Sequence, residues 1–169
     1  LKKLIRKQLV KIIEINTGGR GGSVKYLALQ PKAYNILGMP PKKYGRGSGF
    51  EHYCYQHLIA GHFKTLRKDW QVSIERQIQN KFIDVVIESN SNLVGIEVAM
   101  TSVNEQINVI KDIQSGCNAV IVVCKNKRVM EEVNQAVQSL GKEIVDKVNV
   151  VLLPQVLKCK DLRELMPKG

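Results

Sequence analysis

Along the first 39 residues the apolar positions change period twice. Leu1, Leu4, Ile5, Leu9 and Ile12 recur at helical spacing, while Lys2, Lys3, Arg6 and Lys7 take the remaining faces. Two strand-like runs in KIIEINTGGRGGSVKYLAL then flank Gly18, Gly19, Arg20, Gly21 and Gly22, a tip whose glycines supply the permissive backbone of a hairpin. Pro31 opens PKAYNILGM as a short helix with proline in its favoured first turn. The next ten residues, PPKKYGRGSG, hold two Pro, three Gly and the bases Lys42, Lys43 and Arg46, the composition of a linker. Residues 1–39 are therefore expected to form a small helix–hairpin–helix segment, 40–49 a linker and 50–169 the main domain.

From Phe50 the pattern is that of an α/β protein. FEHYCYQHLIAGHFKTL reads as a helix whose Ala60-Gly61 permits close packing, and WQVSIERQI alternates with Val72, Ile74 and Ile78 on one face. Two more strand runs, 82–88 and 93–99, surround the turn residues Ser89 to Asn92. A helix over about 103–115, the apolar strand AVIVVC, a helix over about 127–141, the strand VNVVLL and a short helix after Pro154 complete the chain. Three meander strands followed by helical crossovers predict a mixed sheet flanked by helices.

Charge changes this picture at one end. Residues 1–49 contain eleven Lys and Arg against one acid, Glu14, whereas the other fifteen bases are nearly matched by fourteen acids. Such asymmetry points to a polyanion partner for the first segment, with nucleic acid favoured over a membrane surface. Arg20 on the hairpin tip, the flanking Lys11 and Lys25, and Lys42, Lys43 and Arg46 are the candidate phosphate contacts. No apolar run reaches the roughly 20 residues of a membrane span. The start is too charged for a secretory signal. The four cysteines show no CxxC pairing, so reduced thiols and a cytoplasmic location are expected. The start inside a helical pattern, without Met, suggests part of a longer chain. His52, His57 and His62, five apart, spread around a helix and do not converge on zinc.

Two acids stand inside the most apolar strands. With the turn centred between Asn90 and Ser91, paired positions place Asp84 opposite Glu97, their Cβ atoms roughly 4.5–5.5 Å apart. Like charges facing across a ladder repel, and burial adds a desolvation penalty of several kcal/mol per ion. A shared proton or a bound cation would offset this; a hard ion such as Mg²⁺ takes one or two carboxylates together with phosphate and water. Centring the preceding turn on Gln79-Asn80 adds Glu75 opposite Asp84, a row across three strands that a slip of one residue would break.

A leading helix with an acid, a three-strand meander, an Asp on the second strand, a Glu on the third, then helix and strand: residues 50–125 resemble the PD-(D/E)xK nucleases, the restriction-endonuclease-like fold. That resemblance implies an αβββαβ core extended here by a further αβ pair. It also implies Mg²⁺ (or Mn²⁺) bound by Asp84 and Glu97, and metal-dependent cleavage of DNA. Glu51 matches the acid that the family often adds from its first helix, with Glu75 the rival. The acid-x-Lys motif departs from the family as Glu97-Val98-Ala99; in some relatives the following helix supplies the missing group, a place that Gln106 or Lys111 would fill. The first segment resembles the C-terminal half of a winged-helix domain, the hairpin being the wing. Two functions compete: a DNA endonuclease with a basic accessory segment, and a nuclease-fold module that binds nucleic acid without cutting. The terminal QVLKCKDLRELMPKG reads as a packing helix or a contact with a second copy in a homodimer.

Overall fold

The alternating residues 71–99 and the apolar runs that follow them fold into one five-stranded sheet, and the basic first segment folds separately. The computed structural model describes residues 1–19, 22–45, 49–89 and 92–167. Two compact units divide the chain, Leu1–Tyr53 and Cys54–Gly169.

The first unit opens with α1 (Lys2–Arg6) and an antiparallel pair, β1 (Val10–Asn16) and β2 (Ser23–Leu29), registered from Val10↔Leu29 to Asn16↔Ser23. Helix α2 (Pro31–Leu37) starts at its proline and stops at Gly38, whose φ of 64° lies in the left-handed region that a helix C-terminus uses. The expected linker is partly drawn into this unit. The Tyr44 hydroxyl stands 3.3 Å from that of Tyr34, and the Tyr44 ring packs on Phe50 and Tyr53 at 4.6 and 5.5 Å between centroids. Packing of these half-buried rings thus carries the unit past the Pro- and Gly-rich stretch into the first turn of α3 (Gly49–Leu66).

In the second unit the strands are β3 (Gln71–Ile78), β4 (Lys81–Ser89), β5 (Asn92–Ala99), β6 (Ala119–Cys124) and β7 (Val148–Leu152), and that is also their order across the sheet. The first three run antiparallel; β5, β6 and β7 are parallel. The parallel strands are joined by α4 (Glu105–Gln114) and by α5 (Lys127–Gln138) with the short α6 (Lys142–Val145). Helix α7 (Leu153–Lys158) and a 3₁₀ turn (Leu162–Leu165) end the unit. The result is an α/β fold with a mixed sheet. Every residue of β6 is buried, as expected of a parallel strand covered on both faces.

One layer of core lies beneath α4 and α5. Helix α5 begins where the Asn126 side chain accepts from the Val129 amide at 3.0 Å. It then buries Val129, Val133 and Val137, four apart, against Val120, Val122 and Cys124 of β6. Ile83, Val86, Ala99, Val109 and Cys117 belong to the same cluster. Val85 and Ile87 of β4, with Val94 and Ile96 of β5, are buried as well. Among the described residues all four cysteines are free and buried, and no helix is long and apolar enough to cross a membrane.

Candidate functional site

The strand register follows the turn chemistry. Ile78 pairs with Lys81 across the two-residue turn Gln79-Asn80, and Ser89 pairs with Asn92. Continued inward, these registers set Glu75 against Asp84 and Asp84 against Glu97. The ladder gives way at both places: pairs form at Ile74↔Val85 and Arg76↔Ile83 but not between them, and the β4–β5 ladder reaches no further than Val85↔Ile96. Glu75 itself adopts φ +50°, a left-handed conformation uncommon for a residue with a side chain.

Strict alternation also fails at Asp84. Ile83 and Val86, three apart, both belong to the cluster under α4 and α5. Asp84 leaves the plain pleat and makes contacts of its own. Its Oδ1 accepts from Gln56 Nε2 on α3 at 3.0 Å, and its Oδ2 accepts from the Val98 backbone amide at 2.8 Å. The side chain takes over an amide that the broken ladder no longer pairs. The continuous acid row expected across three strands is therefore interrupted at its middle member, as mutual repulsion of three carboxylates would favour.

Glu97 turns to a different set of partners. Lys81 Nζ lies 3.3 Å from its Oε1, pairs with Asp112 Oδ1 on α4, and donates to the Asn108 carbonyl at 2.7 Å. Two carboxylates and a carbonyl thus surround the one ammonium. Glu97 and Asp112 are 6% and 0% exposed. Burial is the main reason that the Glu97 carboxyl is held well above its ordinary range; Asp84 and Asp112 repel its charge further, and Lys81 only partly opposes them. Burial also raises Asp112, with Lys81 and a hydrogen bond from Glu97 working the other way.

Gly95 makes this approach of helix to strand feasible. It lies two residues from Glu97 on the same face, where an added Cβ would stand 3.2 Å from Cys117 Sγ and 3.7 Å from Asp112 Oδ2. The thiol so enclosed is pushed up to about 12, chiefly by burial and then by Asp112.

The structure brings Asp84 and Glu97 to adjacent strands and leaves the other expected residues dispersed. Gln106 donates to the Ala136 carbonyl at 2.6 Å and to Ser139 Oγ at 3.0 Å, tying α4 to the end of α5 instead of facing the acids. Lys111 is exposed and, with Gln79, Asn80, Lys81, Asn108 and Ser115, lines an open hollow of about 590 Å³. Glu51 sits in the first turn of α3, within the first unit. Ala99 is wholly buried in the core and offers no functional group. Of the basic candidates, Lys11, Lys25, Lys42 and Lys43 are exposed. Lys25 lies 3.9 Å from Glu14 and Lys42 over the Tyr44 ring; Arg20 and Arg46 fall outside the described residues.

Three residues that the sequence pattern does not single out complete the site: Gln56, Lys81 and Asp112. Signals existed for two of them. Gln56 shares the buried face of α3 with Ile59, Ala60 and Phe63, and α4 buries Glu105, Val109 and Asp112 at successive turns. A polar residue on an apolar helical face requires a partner within the core.

Among the described residues no group of three or more His, Cys, Asp or Glu side chains is placed to hold a metal ion. Mg²⁺ needs fewer, since one or two carboxylates with water and phosphate suffice. Asp84 and Glu97 fit that demand in kind: both are hard oxygen donors, and a divalent cation would offset the repulsion between them that helps to raise Glu97. Comparison with protein-family models, with curated proteins and with solved structures finds no match.

Proposed function

We propose that residues 54–169 form a restriction-endonuclease-like domain that hydrolyses phosphodiester bonds in DNA, the basic first unit holding the nucleic-acid backbone. One observation carries this reading: two carboxylates, Asp84 and Glu97, stand on adjacent central strands where the ladder between them stops, with Lys81 packed against the second. Ion clusters of this kind are costly to bury, and perturbed carboxyls concentrate at functional sites.

Asp84 and Glu97 would hold a divalent ion which, when bound, supplies charge stabilisation of the phosphoryl group and acidifies a water. The chain's own residues do the rest. Gln56 and the Val98 amide orient Asp84. Asp112 anchors Lys81 beside Glu97. Lys81 would supply a cation for the phosphate where Ala99 has replaced the motif lysine. The exposed Lys11, Lys25, Lys42 and Lys43 would contact phosphates without reading bases.

The test is nicking of supercoiled plasmid with Mg²⁺ or Mn²⁺. Wild type should cut, and Asp84→Ala and Glu97→Ala should each abolish cutting while the protein still binds DNA. A second reading, a nuclease-fold module that binds nucleic acid without cutting, is favoured by the buried Ala99 and by the pairing of Lys81 with Glu97 and Asp112. Salt-sensitive binding with no metal-dependent nicking would decide for it.

A further inference from the structure

We propose that Lys81 is a resident cation that a divalent metal ion must displace, so that ammonium and metal compete for the carboxylate of Glu97. The inference rests on the nuclease reading above and concerns what governs metal entry. Three observations carry it. The Lys81 ammonium is positioned by Glu97, Asp112 and the Asn108 carbonyl together, which makes it an occupant of the site and not a passing surface contact. Its 3.3 Å separation from Glu97 Oε1 places one positive charge on a ligand atom that the metal requires. The two cations cannot share that oxygen at close range without repelling each other.

The third observation is a way out. The Lys81 side chain is 16% exposed, and it borders the hollow lined by Gln79, Asn80, Asn108, Lys111 and Ser115. A change of lysine rotamers moves the ammonium from the cage into this open space without opening the sheet. There it joins Lys111, and the two positive charges beside amide and hydroxyl donors suit a phosphate group of the nucleic-acid backbone. Metal entry and phosphate capture thus become one event: the ion takes Glu97, and the lysine it expels becomes free for the polyanion. Asp112 keeps a carboxylate behind to draw the ammonium back when the metal leaves.

The full 169-residue chain tests this by two measurements made without DNA. In calorimetric titration with Mn²⁺, Lys81→Met should bind at least tenfold more tightly than wild type, and Glu97→Gln should lose the binding. Equal or weaker binding by a folded Lys81→Met protein overturns the proposal. Because that variant leaves two buried carboxylates without their cation and risks misfolding, the second measurement uses wild type. Its ¹H–¹⁵N spectrum should contain a protected Lys81 ammonium signal that Mg²⁺ shifts or removes, with the midpoint found by calorimetry. A signal unchanged at saturating Mg²⁺ overturns the exchange. If the protein nicks DNA while that signal stays fixed, only the exchange fails; if it neither binds metal nor nicks, the nuclease reading fails with it.

Discussion

The Lys81–Asp112 pair gives the sharpest test of how the buried charges are held. Lys81→Met keeps most of the aliphatic stem and removes the ammonium, leaving the fully buried Asp112 without this counter-ion. The folded protein can then neutralise Asp112 by taking up a proton. From the ordinary carboxyl value of 3.8, that costs about 1.36 kcal/mol for each pH unit. The cost is roughly 4 kcal/mol at pH 7 and under roughly 2 kcal/mol at pH 5. The first figure agrees with the ~3–5 kcal/mol typical of breaking a buried pair from one side. Asp112→Asn removes the other charge in advance, so Lys81→Met/Asp112→Asn should recover all but ~1 kcal/mol of the pH 7 loss, a strong non-additivity. Urea unfolding followed by Trp70, the only tryptophan and a residue of the second unit, reads this directly. A Lys81→Met penalty that is equal at pH 5 and pH 7, or single-variant penalties that simply add, would refute the buried-cage account.

Three further outcomes rest on the same geometry. Glu97 has its carboxyl raised in the fold, so its contribution to stability is full below the ordinary value of 4.5 and is lost as pH rises through the folded value; Glu97→Gln should therefore gain on wild type between pH 5 and pH 8 in the same unfolding assay. Gly95→Ala should cost ~1–3 kcal/mol by overpacking against Cys117 Sγ at 3.2 Å, and Gly95→Ala/Cys117→Ala should regain most of it; a neutral single variant would show that α4 yields easily. Replacing Lys42 and Lys43 with Ala should weaken DNA binding evenly across sequences and flatten the dependence of log affinity on log salt by ~2, about 0.9 for each phosphate no longer neutralised; an unchanged slope would remove both residues from the interface.

Much of the second unit is legible in the sequence because its turns are short and its strands alternate. Gln79-Asn80 and the Ser/Asn run after Ile87 fix two registers, and those registers place Asp84 and Glu97 on neighbouring strands. Local pattern cannot show where the ladder breaks. The departure at Asp84 depends on a left-handed Glu75 opposite it and on Gln56 arriving from a helix 28 residues away. Lys81 escapes notice for a related reason. At a hairpin corner a lysine ordinarily reads as solvated, and only the approach of α4, permitted by Gly95, turns it inward toward Asp112. Gln106 shows the converse: a helix-borne polar residue suited to the site by sequence is drawn to the Ala136 carbonyl by the neighbouring helix.

The sequence poses a choice between a shared proton and a bound cation as the means of keeping Asp84 and Glu97 together in a dry sheet, and the fold adds Lys81 and Asp112 beside Glu97. Burial and the neighbouring Asp84 and Asp112 hold the Glu97 carboxyl well above its ordinary range, and the Lys81 ammonium pairs with both Glu97 and Asp112. For stability alone this is a poor solution, since well-packed apolar residues of similar volume commonly match or exceed a buried ion pair. The surrounding strands, Val85–Ile87 and Val94–Ile96, show that the chain can build apolar packing at this depth. Keeping a titratable cluster beside an open hollow therefore needs a reason other than core formation. The proposed exchange of the resident ammonium for a metal ion and a phosphate would supply one.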